Sequence, residues 1–143
     1  VATTPKMLGF QAAGAAPIVH GQRVDKPETI ATAIRIGNPA RWHEAQAALD
    51  ESGGCIRAVT DEQIIEAYRE LAAVEGLFCE PASAASWAGL KQLAAEGFFT
   101  APCTIVATLT GHGLKDPDRA VAVAPQPEKA PDDLGAIVKM LGL

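Results

Sequence analysis

The stretch from Thr104 to Asp116, with the sequence TIVATLTGHGLKD, limits the possible folds more than any other part of the chain. Residues 104–109 are apolar or β-branched, a composition that predicts a fully buried strand. The run ends at Gly111-His112-Gly113, where glycines let the backbone come close to a ligand. Because ligands of open α/β sheets bind beyond the carboxyl ends of the strands, Thr110 is a candidate ligand contact. The same pattern also suits a strand followed by a tight glycine turn that binds nothing.

Two further segments, Met7–Ala12 and Ile56–Val59, also have the apolar character of buried strands. We expect a very short strand at 77–79 and a last strand at 120–124. Near-continuous apolar strands that alternate with helices indicate a mostly parallel sheet flanked by helices on both faces. The predicted fold class is therefore α/β.

A helix start is marked by a side chain that accepts a hydrogen bond from one of the first backbone N–H groups. It is also marked by a proline, which has no N–H group to satisfy. Asn38-Pro39 predicts one start and Glu80-Pro81 another. Thr60 and Gln63 have the spacing of a capping box, in which each side chain bonds the backbone N–H of the other residue. The helix that follows Thr60 has an apolar face and is expected to end at Gly76.

Residues 125–143 differ in composition from the rest of the chain. Three prolines predict an exposed linker: Pro125, Pro127 and Pro131. Asp132 and Asp133 then predict the start of a terminal helix. Its apolar residues are expected to dock on the rest of the chain: Leu134, Ile137, Val138 and Leu141.

Composition excludes several classes of partner. The 143 residues carry a net charge of -5, with a pI near 5.1 and no run of Lys or Arg, which argues against a nucleic-acid surface or an anionic membrane surface. No apolar run reaches the roughly twenty residues that a membrane-spanning helix needs.

The cysteines and histidines predict no metal site. Cys55, Cys79 and Cys103 are widely spaced, and none of the 3 histidines stands at metal-ligand spacing from a cysteine. An odd number of cysteines without a framework predicts reduced thiols and a cytoplasmic location.

The amino end, Val1-Ala2-Thr3-Thr4-Pro5, has neither an initiator Met nor the pattern of a signal peptide. A predicted strand follows almost at once. We therefore expect this chain to come from within a longer polypeptide.

Four segments stand out by their order and spacing: KMLGFQAAGAAP at 6–17, TAIRIGNP at 32–39, GLFCEPASAA at 76–85 and LTGHGLKDP at 109–117. Together they resemble the carboxyl-terminal part of the threonine synthases, pyridoxal-phosphate enzymes of the tryptophan-synthase-β-like fold (fold type II). The Glu-Pro-x-x-Ala part is shared with serine/threonine dehydratases. The Gln-Ala-Ala-Gly and Thr-Gly-His-Gly-Leu-Lys-Asp-Pro parts are much more specific.

This resemblance covers essentially the whole chain but only the carboxyl-terminal part of the family's length. It implies that residues 1–143 are an incomplete catalytic pyridoxal-phosphate-dependent domain, with 125–143 as linker and terminal helix. The upstream half of the same enzyme, which in the family carries the Schiff-base lysine and the loop for the cofactor phosphate, would then be a partner. The catalytic lysine is therefore expected upstream, Lys115 is expected to be structural, and the chain alone is expected to be inactive.

The resemblance also implies a site and a reaction. In the family a Thr hydroxyl, matching Thr110, meets the pyridine nitrogen of the cofactor. A neutral hydroxyl can donate to an unprotonated nitrogen, whereas the Asp of many other pyridoxal enzymes holds that nitrogen protonated. The small residues of 12–14 and of the helix from Pro81 would line the ring. The complete enzyme, a homodimer, would convert O-phospho-L-homoserine and water to L-threonine and phosphate.

Two other functions remain open from the sequence. A pyridoxal-phosphate-dependent threonine/serine dehydratase shares the Glu80-Pro81 segment, but such enzymes more often present Ser or Cys where Thr110 stands. A non-catalytic α/β nucleotide-binding or regulatory module would use Gly111 and Gly113 as a phosphate turn. That pattern lacks the third glycine of the dinucleotide fingerprint and has no Gly-Lys-Ser/Thr after it.

Overall fold

The computed structural model describes residues 4–143. Val1, Ala2 and Thr3, the start of the amino-terminal segment, lie outside the described residues.

Two parallel strands form the sheet of the described chain. Strand β1 (Leu8–Ala12) pairs with β2 (Cys55–Val59) so that Leu8 faces Cys55 and Ala12 faces Val59. Both predicted strands are thereby confirmed. Gly54 makes the pairing possible at its start, since a Cβ there would overlap the carbonyl of Met7.

Short helical segments connect the two strands. A 3-10 turn (Ala13–Ala15), helix α1 (Pro17–His20), a second 3-10 turn (Thr32–Ile34) and helix α2 (Trp42–Ser52) follow β1 in that order.

Helix α2 begins later than the sequence predicts. Asn38-Pro39 was expected to start it, but the capping position is held by Arg41. Gly37 explains the difference, because Val24 N donates to its carbonyl at 2.9 Å and holds the preceding chain in a loop. The helix ends at Gly53, which lies in the left-handed region at φ 61°.

Helix α3 (Asp61–Glu75) has the predicted ends. Thr60 Oγ1 accepts from Gln63 N at 3.2 Å, and Gln63 Oε1 accepts from Thr60 N at 2.8 Å. Gly76 closes the helix at φ 67°. The capping box and the glycine stop are both confirmed because each depends only on residues within one turn.

Helix α4 (Pro81–Ala95) packs against α3 and the sheet. Gly89 lies so close to Phe10 of β1 that a Cβ would overlap the ring. On the outer side, Lys91 Nζ lies 2.7 Å from Glu66 and 2.6 Å from Glu70 of α3, and these carboxylates raise the pKa of Lys91. Such exposed ion pairs contribute little to stability, so the α3–α4 contact depends on its apolar residues.

The core lies where α3, α4 and the two strands meet. Its members are small or β-branched residues for the most part: Ala12, Val59, Ile64, Ala67, Tyr68, Leu71, Ala84, Ala85 and Ala88. Close approach of the helices to the strands follows from the many alanines.

The strand predicted at 104–109 is not formed. These residues run without a ladder partner among the described strands, and Ile105 and Val106 are 46% and 86% exposed. An apolar run becomes a strand only when neighbouring backbone accepts and donates its hydrogen bonds. No backbone hydrogen bond joins residues 104–109 to the free edge of β1 or of β2, so the prediction is wrong for this structure.

The carboxyl-terminal residues form two short helices. Helix α5 (Pro117–Val123) replaces the strand expected at 120–124, because the Asp116 side chain accepts from Arg119 N at 3.2 Å and caps it. Helix α6 (Leu134–Met140) confirms the predicted terminal helix, and Asp133 caps it through Ala136 N.

The predicted docking face of α6 is largely open. Leu134 and Leu141 are exposed, and Ile137 is only half-buried.

Across residues 4–143, no helix combines the length and the apolar character needed to cross a membrane.

Replacing Thr60 with Ala should lower the free energy of unfolding by about 1 kcal/mol, because the Gln63 N–H loses its acceptor at the start of α3. Denaturant unfolding followed by circular dichroism measures the change. Thr60→Ser keeps the acceptor and should retain most of the stability. Equal loss in both variants would show that the methyl group, and not the cap, stabilises the helix.

Candidate functional site

Thr110 lies where the extended 104–110 segment meets the first turn of α4. Ser83 is the third residue of that helix, and its Oγ accepts from Thr110 N at 2.8 Å and from Gly111 N at 2.9 Å. The backbone adds a further bond, from Glu80 N to the Gly111 carbonyl at 2.9 Å. Three hydrogen bonds therefore fix Thr110 against α4 without a sheet.

The two hydroxyl groups of Ser83 and Thr110 are in direct contact. Their oxygens are 3.0 Å apart, and either atom can be the donor by distance alone. Ser83 is 1% exposed, whereas Thr110 is exposed. The pair thus joins a buried serine to a threonine residue that is exposed.

Glu80 places a buried carboxylate beside this pair. The residue is 5% exposed, its Oε1 lies 3.3 Å from Thr110 Oγ1, and its Oε2 lies 3.4 Å from Lys115 Nζ. Because the amino end of a helix carries partial positive charge, α4 favours a carboxylate here. Lys115 forms this ion pair from an exposed position, and the neighbouring Asp116 side chain caps α5.

The glycines of the Gly111-His112-Gly113 turn serve close packing. A Cβ at Gly111 would overlap the Glu80 carboxylate, and a Cβ at Gly113 would overlap the ring of Phe78. Neither glycine has a positive φ, so the requirement is for space and not for backbone freedom.

The amides of the same turn are used within the protein. Gly111 N donates to Ser83 Oγ, and Gly113 N donates to the Phe78 carbonyl at 3.0 Å. Leu114 N donates to His112 Nδ1 at 3.2 Å. A phosphate turn needs free amides, and these three are engaged.

Cys79 and His112 lie beside the site, and their surroundings do not indicate a reactive thiol or a metal site. They form a single antiparallel β-bridge. The strand expected at 77–79 is reduced to this bridge. Burial raises the pKa of the Cys79 thiol, and the Glu80 carboxylate adds to the increase. Cys79 therefore remains a neutral thiol. Among residues 4–143, no group of three or more metal-ligating side chains is assembled.

The small residues expected to line a flat ligand fall into two groups. Ala12, Ala84 and Ala85 are buried in the core, where they let α4 approach β1. Ala13 and Gly14 are exposed, and Ala82 is partly buried. A wall for a ligand can therefore be formed only by the second group, and this part of the expectation stays a prediction.

Ser83 is the site residue that the sequence analysis missed. It was counted only as one small residue among several in the first turn of the helix from Pro81. A hydroxyl two residues after a proline that opens a helix is a recognisable signal, because it stands near the unpaired donors of the first turn. Its actual partners come from a segment 27 residues away, and no local pattern reveals them.

A cavity of about 680 Å³ lies apart from Thr110. Met7, Phe10, Leu90, Phe98 and Ile105 are among its lining residues. It separates the start of β1 from the unpaired 104–108 segment.

Replacing Gly111 with Ala should destabilise the protein by about 1–3 kcal/mol, since the added Cβ must displace the Glu80 carboxylate. Thermal unfolding measures the loss. Gly135→Ala is the matched control, because a Cβ at Gly135 meets only Asp133 Oδ1 at 3.5 Å. Equal stability of the Gly111 variant and the wild type would mean that Glu80 moves freely at this position.

Comparison with known proteins gives the site its context. Residues 2–111 match the family described as "Pyridoxal-phosphate dependent enzyme". Over 140 residues the chain is 56% identical to threonine synthase of Synechocystis sp., covering 96% of this chain and 36% of that protein. Identity is 53% to threonine synthase of Mycobacterium leprae and 50% to that of Methanocaldococcus jannaschii, with 39% and 36% of those proteins covered.

A solved structure agrees with the fold. The crystal structure of the T.th. threonine deaminase superposes with a TM-score of 0.51 at 25% identity, over 62% of this chain and 34% of that one. The chain thus spans little more than a third of the length of the relatives it matches. The family match covers most of this chain, and the chain belongs to the pyridoxal-phosphate-dependent enzymes.

Proposed function

We propose that this chain is the carboxyl-terminal part of the catalytic domain of a threonine synthase. The complete enzyme would convert O-phospho-L-homoserine and water to L-threonine and phosphate. Identity of 50 to 56% to threonine synthases along nearly the whole chain supports this assignment.

The hydroxyl of Thr110, an exposed residue, is the structural observation that carries the proposal. The group is neutral, it is held by a buried partner, and it stands at the amino end of α4. A neutral hydroxyl fits the ring nitrogen of pyridoxal phosphate, since a hydroxyl can donate a hydrogen bond to an aromatic nitrogen. The cofactor, when bound, supplies an electron sink for the carbanion of the substrate.

The remaining parts of the cofactor site must come from elsewhere in the complete enzyme. Lys115 Nζ lies 3.4 Å from Glu80 Oε2 in an ion pair, and in the threonine synthases that this chain resembles the Schiff-base lysine stands in the upstream part. We therefore assign the Schiff-base lysine to the upstream part of the enzyme. The apolar cavity between β1 and 104–108 gives that part a surface on which to complete the sheet.

The domain and assembly assignments are part of the same proposal. Residues 1–143 would be an incomplete domain, with 125–143 as linker and terminal helix, and this chain alone would be inactive. The complete enzyme would be a cytoplasmic homodimer. The open apolar face of α6 supports a role for this helix outside the chain's own core.

A threonine/serine dehydratase is the second candidate, supported by the fold match to a threonine deaminase. Its 25% identity is half that of the threonine synthases, so the first assignment is favoured. A nucleotide-binding module is disfavoured, since the amides of Gly111 and Gly113 donate within the protein.

Replacing Thr110 with Val in the complete enzyme should lower turnover by more than about tenfold and shift the visible absorbance of the bound cofactor. The hydrogen bond itself is worth about 0.5–1.5 kcal/mol, and the excess would reflect tuning of the carbanion. Thr110→Ser keeps the donor and should retain most activity. If Thr110→Val lowers only the melting temperature, the hydroxyl merely closes the turn.

Replacing Ala13 with Leu in the complete enzyme should weaken cofactor retention. Ala13 is exposed beside the end of β1, so a larger side chain would occupy the space of a stacked ring without disturbing the core. Equilibrium dialysis with pyridoxal phosphate measures the loss. Full cofactor occupancy and activity in this variant would place the ring wall elsewhere.

A further inference from the structure

The hydroxyl of Ser83 has one proton and two lone pairs, and its neighbours determine how each is used. Both lone pairs accept backbone N–H groups, from Thr110 at 2.8 Å and Gly111 at 2.9 Å. Only the proton remains. Its acceptors are Thr110 Oγ1 at 3.0 Å and the Gly111 carbonyl at 3.4 Å. The shorter contact is the better hydrogen bond, so Ser83 donates to Thr110.

Donation by Ser83 leaves the proton of Thr110 free for a different acceptor. Within the protein that acceptor is Glu80 Oε1, at 3.3 Å from Thr110 Oγ1. This distance is beyond the usual range for an O–H donor, so the bond is weak. Lys115 also balances part of the Glu80 charge, at 3.4 Å. The Thr110 proton is therefore available to a ligand on the exposed side.

We propose that Ser83 is a positioning residue that keeps Thr110 a hydrogen-bond donor toward the ring nitrogen of the cofactor, with Glu80 as the competing acceptor. This inference rests on the proposed function. An unprotonated pyridine nitrogen only accepts a hydrogen bond, and a protonated one only donates. If the Thr110 proton turned to Glu80, the ring nitrogen would have to take a proton from solvent before it could bond Thr110.

The protonation of the ring nitrogen is a readout that a merely structural role of Ser83 would not change. In the complete enzyme loaded with pyridoxal phosphate labelled with ¹⁵N in the ring, the wild type should give the resonance of an unprotonated nitrogen. A protonated ring nitrogen in the wild type would overturn the proposal without any variant.

In Ser83→Ala the ring resonance should move toward the protonated position, because Thr110 loses the donor that directs its proton outward. Addition of Glu80→Gln should reverse this shift, since the charge that attracts the Thr110 proton is removed. Ser86→Ala is the matched control. Its hydroxyl donates to the Ser83 carbonyl at 2.8 Å within α4, and the variant should keep the wild-type resonance.

Amide hydrogen exchange in the cofactor-free enzyme tests the Ser83 bonds separately. Thr110 and Gly111 amides should exchange about tenfold faster in Ser83→Ala, the factor that corresponds to one lost hydrogen bond of ordinary strength. Should Ser83→Ala not retain the cofactor, Ser83→Cys takes its place, since it keeps the volume but donates weakly.

The outcomes separate this inference from the proposed function. An unchanged ring resonance in the Ser83 variant, with cofactor bound, overturns the positioning role. If Thr110→Val also leaves the ring resonance unchanged, Thr110 does not contact the ring, and the proposed cofactor contact fails as well. Faster amide exchange together with an unchanged resonance would leave Ser83 with a structural role only, which contradicts the proposal.

Discussion

The hydrogen bonds that Ser83 accepts from the 110–111 backbone hold the site together. The 104–110 segment has no strand partner among the described residues, so α4 alone fixes its end. Backbone bonds from Glu80 N to the Gly111 carbonyl and from Gly113 N to the Phe78 carbonyl extend the attachment. Removal of the Ser83 hydroxyl would leave the Thr110 and Gly111 N–H groups without their acceptor at the same time.

The position of α4 in turn depends on small residues. Ala12, Ala84 and Ala88 allow the helix to lie close to the strands, and Gly89 accommodates the ring of Phe10. The same helix carries Ser83 on its first turn. Packing against the core and orientation of the Thr110 hydroxyl are therefore properties of one element. A rigid helix end positions a polar group more accurately than a loop can.

Sequence patterns predicted local features well and long-range features poorly. The capping box at Thr60 and the stop at Gly76 were correct, because a helix end depends on residues within one turn. The 104–109 strand was wrong, since pairing depends on backbone that composition does not reveal. Of the site, Thr110 was proposed from its place after an apolar run, whereas the contact with Ser83 depends on the fold of the 26 residues between them. The helix-end patterns and the apolar run indicate no reaction. The proposed chemistry comes from the family resemblance.

The glycines of the Thr-Gly-His-Gly motif have a packing role within the protein that the sequence did not predict. Its glycines were expected to let backbone approach a ligand. In the structure they let backbone approach Glu80 and Phe78, and their amides donate within the protein. The motif therefore brings the buried Glu80 carboxylate and the buried Ser83 hydroxyl within 3.3 Å of one Thr oxygen. A side chain in place of Gly111 would separate those groups, which gives the motif a requirement for glycine that is independent of any direct contact with the cofactor.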